Sequence, residues 1–194
     1  MKATRAAIIT ALALLLLLIV LTAQAQTPAA NTKHFDKDGL VFDYPDGWEI
    51  QDESNKDAQQ LTLGRSDSEA QIRLFVHRGK VDTPEKMVQA KHAFIDPYIA
   101  SVSNTFVQMG AKPEQTPASI QFGAATAEGV RLRALLSGEA GEAAIYWLPV
   151  GSRVVVLTFF GSDNSLKKAA PAFDTVRNSL RIEEVKPPQK PAPK

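Results

Sequence analysis

The apolar positions along the chain fall into two periods. Within Gly39-Leu-Val-Phe-Asp-Tyr-Pro-Asp-Gly-Trp48, Leu40, Phe42 and Tyr44 alternate with Val41 and Asp43, the two-residue period of a strand. Pro45-Asp46-Gly47 then supplies turn chemistry, because proline fixes φ and glycine accepts positive φ. Trp48, a large aromatic directly after a tight turn, is expected to close one end of a core. Residues 60–64 and 70–76 alternate in the same way, and the polar segment 65–69 predicts a hairpin between them. From Thr83 the period changes. Thr83 can cap, Pro84 suits the first helical position, and Glu85 complements the positive end of the helix dipole. Met87, Phe94, Tyr98, Val102 and Phe106 follow at helical intervals, with Gly110 as the terminating residue. Pro97 predicts a kink or division near Ile95 or Asp96. Residues 111–118, with Pro113 and Pro117, read as a loop.

Three strands are predicted next, over 129–136, 142–150 and 153–160. Gly151-Ser152 is a two-residue hairpin signal of the II′ type. The third strand is apolar on both faces, which predicts a central position with helices covering both sides. A last helix is predicted over 166–180, striped by Leu166, Ala169, Phe173, Val176 and Leu180. Pro171 points to a helix start there, with a looser turn before it. Strands, long helix, strands and helix together predict an α+β fold, an antiparallel sheet with helices packed on it. No internal repeat is evident.

The two ends of the chain read differently. Lys2 and Arg5 precede an apolar run from Ala6 to Leu21, and Ala23-Gln24-Ala25 follows. Basic start, apolar middle and small-x-small exit describe a secretory signal peptide over residues 1–25. The rival reading is an uncleaved anchor, since the run approaches the roughly 17 residues that span a bilayer. Residues 26–33 form a short polar leader, 34–185 the domain, and 186–194 a tail with four prolines and three lysines. That tail favours extended polyproline II and serves either as a solvated end or as a spacer touching an anionic surface.

Charge and composition narrow the function. The 194 residues carry 22 Lys plus Arg against 21 Asp plus Glu. Losing Lys2 and Arg5 with residues 1–25 leaves 20 against 21, a formal charge of −1. A near-neutral mature chain argues against nucleic acid as partner. Cysteine is absent, which excludes a disulfide, a thiol nucleophile and an N-terminal lipid anchor on cysteine. The chain has no Gly-x-Ser-x-Gly elbow, no Gly-x-x-x-x-Gly-Lys loop, no His-Glu-x-x-His and no Gly-x-Gly-x-x-Gly. His34, His77 and His92 show no metal-ligand spacing among themselves.

The segment Phe42-Asp-Tyr-Pro-Asp-Gly-Trp48 resembles a signature of the PsbP-like, or Mog-type, fold superfamily. So do the late hairpin over 144–160 and the closing helix Phe173-Asp-Thr-Val-Arg-Asn-Ser-Leu180. The superfamily includes a lumenal photosystem II protein, Ran-binding proteins and secreted bacterial relatives. The signal peptide fits the bacterial secreted branch. The resemblance implies an α/β/α sandwich around a twisted antiparallel sheet, with Phe42, Tyr44, Pro45, Gly47 and Trp48 as the fold signature. It also implies a mainly non-enzymatic role, in binding, stabilising or assembling other proteins.

Three candidate sites remain. Arg131 and Arg133 project from one strand face, with Arg73 on another strand. They form either a cationic patch for a carboxylate, phosphate or protein, or structural pairs with acids such as Glu85 or Asp96. His34, Asp36 and Asp38 alternate along an extended segment and could converge on a metal. Trp48 and Trp147 could line a cleft, with core packing the default. The sequence thus predicts an exported, periplasmic or extracellular, non-catalytic protein: a binding or assembly accessory to another envelope component. No cofactor, catalytic residue or stable membrane span after signal cleavage is expected. A periplasmic small-molecule or metal binder and a hydrolase of unrecognised type are the alternatives.

Overall fold

The computed structural model describes residues 31–183 apart from Ser137. The signal-peptide and tail expectations, and most of the leader, lie outside these residues. The described chain folds as ten strands and three helices. Strands β1 (Thr32–Lys37) and β2 (Leu40–Pro45) form a hairpin, joined at the end by β10 (Arg181–Ile182). Strands β3 (Glu49–Asp52), β4 (Ala58–Arg65), β5 (Ser68–His77), β6 (Glu114–Phe122), β7 (Ala125–Leu136), β8 (Glu139–Val150) and β9 (Arg153–Ser162) form a second sheet. Every pairing in it is antiparallel, in the order β3-β4-β5-β9-β8-β7-β6.

β9 is fourth of the seven strands, and Val154 to Thr158 are all buried. Its two apolar faces therefore need two covers, as its sequence requires. On one face Val154 and Val156 pack with Ile145, Trp147 and Leu132 under α1 (Pro84–Ala90) and α2 (Asp96–Gln108). On the other, Val155 and Leu157 pack with Ile72, Leu74 and Tyr146 under α3 (Asp163–Ser179) and the small sheet. The result is an α+β sandwich with a central antiparallel sheet.

Thr83 caps α1 by accepting the Lys86 N–H at 3.3 Å. The predicted division at Pro97 takes a specific form. Lys91–Ile95 is a π-helical turn, in which the Asp96 N–H bonds to the Lys91 carbonyl. A wider turn lets the chain re-enter a helix at a residue that has no N–H.

Two expectations need correction, and two further strands lie where the alternating pattern predicts none. Residues 114–122 form strand β6, although the prolines of 111–118 predict a loop. Pro117 fits because β6 is an edge strand, paired with β7 alone. Pro171 does not start the last helix; α3 already begins at Asp163 and carries Pro171 in its interior. Strand β1 starts at Thr32, and its polar residues reflect an exposed outer strand with only Phe35 packing inward. Strand β3, which the alternating pattern does not predict, pairs with β4 at the other edge of the large sheet.

Candidate functional site

The strand parity that buries each apolar face also sorts the three arginines. Arg131 pairs in register with Ala144, whose side chain faces α3. Arg133 lies two residues on, on the same face. Arg73 pairs with Thr62 and Thr158 and faces α2. The three arginines therefore do not form one patch: Arg73 is separated from the other two by the sheet itself.

On the α3 side the two arginines share one acid. Arg131 Nε lies 3.3 Å and Arg133 Nη1 3.4 Å from the Glu142 carboxylate. Arg133 Nη2 reaches Asp163, the first residue of α3, at 2.7 Å. The partners are thus Glu142 and Asp163, not Glu85 or Asp96. Contact with the Tyr146 hydroxyl, and next the charge of Glu142, raises the Arg131 pKa. Arg131, Glu142 and Asp163 border a groove of about 330 Å³ floored by Ala144, Tyr146, Phe159 and Phe173 and bounded by Ile120 and Leu166. Phe159 stacks on Phe173 with ring centroids 4.6 Å apart. Gly129, opposite Tyr146, makes this floor possible: a Cβ there would lie 2.5 Å from Tyr146 Cδ1 and from the Ile145 carbonyl oxygen.

The α2 side carries a second groove of about 330 Å³, over β3, β4 and β5. Gln51, Glu53, Gln60, Gln71, Arg73 and Tyr98 are among the residues that line it, with Thr62. Arg73 donates from Nε at 3.1 Å and from Nη2 at 2.7 Å to Gln71 Oε1. Its guanidinium carbon sits 5.5 Å from the Phe160 ring centroid. Tyr98, three residues beyond the π-helical turn, bonds Thr158 Oγ1 at 2.9 Å. Burial raises the Tyr98 pKa, opposed by the Thr158 bond and the Arg73 charge. Sequence reasoning selected Arg73 but missed the amides. Their signal is the polar parity of β4 and β5, where Gln60, Thr62, Gln71 and Arg73 occupy the face opposite Leu61, Leu63, Ile72 and Leu74.

The other candidates are dispersed. His34 Nδ1 meets Asp43 at 2.7 Å across the β1–β2 pair, and Asp38 turns away at φ 51° to take Arg78 at 2.8 Å. His34, Asp36 and Asp38 therefore do not converge, and no group of three His, Asp or Glu side chains suited to a metal occurs among the described residues. Trp48 and Trp147 do not share a cleft: Trp48 packs on the α3 side and Trp147 on the α2 side. Among the signature residues, Phe42 is fully buried, Tyr44 is half-buried, and Gly47 holds φ 82° in the turn. The Trp48 N–H closes that turn on the Pro45 carbonyl at 3.3 Å. Ser179 joins this strand to the last helix. Its Oγ accepts the Asp43 N–H at 2.8 Å and donates to the Thr175 carbonyl at 2.7 Å.

No family model matches the sequence, and comparison with curated proteins found no match. Solved structures do resemble it. Cyanobacterial PsbP (CyanoP) of Synechocystis sp. PCC 6803 aligns with a TM-score of 0.51 and 12% identity, over 84% of this chain and 99% of that one. A Bacteroides thetaiotaomicron protein aligns with a TM-score of 0.51 and 13% identity over 78% of this chain, which spans about half (48%) of that protein. LpqN of Mycobacterium tuberculosis, involved in cell envelope biogenesis, aligns with a TM-score of 0.41 and 14% identity, over 79% of this chain and 91% of LpqN. With its seven-stranded antiparallel sheet covered on both faces and its likeness to cyanobacterial PsbP over nearly the whole of that protein, the chain has a PsbP-like fold.

Proposed function

We propose that this protein is exported and acts, without catalysis, as a binding or assembly accessory to another envelope component. The single observation that carries the reading is the α3-side groove. An aromatic floor of Tyr146, Phe159 and Phe173 is bordered by Arg131, Glu142 and Asp163, whose charges are already paired with one another or with Arg133 behind them. An apolar recess with a polar rim is the form of an interface hot spot, where one anchor side chain of a partner is desolvated inside a ring that excludes water. Paired rim charges also suit binding better than acid–base work, because neither carboxylate stands free to accept a proton. The basic, apolar and Ala-x-Ala pattern of residues 1–25 supports export. Among the described residues no helix is long and apolar enough to cross a membrane.

The experiment is in-cell crosslinking of the full-length chain in its native host, with mass spectrometry of the bait's N-terminus and of its captured partners. The expected result is a mature N-terminus at Gln26 and one reproducible envelope partner, whose yield falls at least several-fold in an Ile120→Glu variant that melts like the wild type. An unprocessed N-terminus in the cytoplasm, or a partner yield indifferent to Ile120, would overturn the proposal.

A further inference from the structure

The geometry points to a second site, separate from the α3-side groove: the groove over β3, β4 and β5 binds a sugar acid, with Arg73 taking its carboxylate and the surrounding amides its hydroxyls. Arg73 is distinctive in its pairing. Among the described residues Arg65, Arg78, Arg131, Arg133, Arg177 and Arg181 each have a carboxylate within 4.0 Å. Arg73 and Arg153 do not. Arg153 is occupied in another way, donating from Nη1 to the Asp38 carbonyl at 2.9 Å and to Gln59 Oε1 at 3.1 Å. Arg73 is held by a neutral acceptor, Gln71 Oε1, and by the Phe160 ring. Its charge is held in place and half-buried, with no carboxylate within 4.0 Å and Glu53 the one acid in the groove lining. Two of its five N–H groups are spent on Gln71 and its guanidinium also meets the Tyr98 hydroxyl, which leaves donors to meet a carboxylate.

The remaining lining decides what else that ligand carries. Gln51, Gln60 and Thr62 offer donors and acceptors in one patch, which is the pattern that hydroxyl groups need. Glu53, already accepting Gln51 Nε2 at 2.9 Å, adds an acceptor for a hydroxyl, and with one cation and one anion in the lining a dianion is repelled more than a monoanion. A sugar acid, singly charged, is therefore favoured over a sugar phosphate. Phe75 and Tyr98 contribute ring surface against which a sugar can rest. A volume of about 330 Å³ fits one or two sugar rings, at the small end of the ~300–1,000 Å³ of ligand sites.

The test is calorimetry and amide-resolved NMR on the full mature chain, with D-glucuronate, D-glucose, glucose 6-phosphate and an oligogalacturonide as probes. Saturable glucuronate binding is expected, with shifts at the side-chain amides of Gln51, Gln60 and Gln71. Glucose and glucose 6-phosphate should bind at least about tenfold more weakly. Arg73→Gln should weaken glucuronate by about tenfold or more, while Arg131→Gln, on the opposite face, should leave it unchanged. A tighter oligogalacturonide would place the sugar acid within a glycan chain, and an equal or weaker one would make it a free acid; either result upholds the site. Should Arg73→Gln fail to fold, Gln60→Met on the same face is expected to weaken binding at an unchanged melting temperature. No saturable response to either acid at ~10 mM, tenfold above a dissociation constant of ~1 mM, would overturn the inference. So would glucose binding as well as glucuronate, or full affinity in the Arg73→Gln or Gln60→Met variant.

Discussion

Trp48 is 3% exposed, packed among Leu61, Leu63 and the small sheet on the α3 side. Removing a buried indole leaves a cavity that the surrounding sheet cannot close. Trp48→Ala is expected to cost about 3–5 kcal/mol, read as a lower denaturant midpoint at unchanged slope. An unchanged midpoint would contradict this packing. Gly129 sets a different limit, because its missing Cβ leaves room for the Tyr146 ring and the Ile145 carbonyl. Gly129→Ala should cost about 1–3 kcal/mol and displace Tyr146 from the groove floor, visible as shifted Tyr146 ring resonances. Asp52 gives the pH prediction. Its carboxylate accepts from Lys37 Nζ at 2.6 Å and from the Ser54 N–H at 2.9 Å, and these bonds lower its pKa from 3.8 to about 2. A depressed folded pKa contributes stability above the unfolded value and loses it as pH falls through the folded value. Lys37–Asp52 also ties the small sheet to β3, so the melting temperature of the wild type should fall more steeply between pH 4 and pH 2 than that of Asp52→Asn. Equal slopes would show that the tie carries no stability.

The helices show which local signals can be outweighed. Pro171 is exposed within α3 and leaves one helical N–H missing, yet Ala169, Ala172, Phe173 and Val176 are buried in a continuous stripe around it. Tertiary burial has overridden a helix breaker. Pro171→Ala should therefore stabilise the protein by up to about 3 kcal/mol, measured as a higher melting temperature. A lower one would mean that Pro171 fits an irregular turn that α3 requires. The same conflict explains the misreading of β6, where Pro117 looked like a loop signal and is tolerated at an edge. Central β9 was legible because both of its faces are apolar. The sites were less legible. Parity within one strand correctly placed Arg131 and Arg133 together. Parity between strands depends on register, which no sequence pattern fixed for β5 against β7, so Arg73 could not be assigned its face. The amides beside Arg73 were hidden for the same reason, since only the β3–β4–β5 pairing brings Gln51, Gln60 and Gln71 onto one surface.

At the scale of the molecule, one sheet separates two grooves of similar volume and unlike chemistry. The α3 side presents an aromatic floor with a self-paired charged border, and the α2 side presents amides around an arginine with no ion-pair partner within 4.0 Å. Ser179 and Asp43 join the first strands to the last helix, so the two signature segments close one body around that sheet. Such a frame can hold a partner on one face independently of a ligand on the other. The most direct measurement is site-specific photo-crosslinking in the native host, with a benzophenone amino acid placed at Ile120 beside the α3-side groove or at Val88, which is 57% exposed on α1. The proposed accessory role predicts one envelope protein crosslinked from Ile120 and absent from Val88. Crosslinks that are equal from both positions, or absent from Ile120, would contradict it.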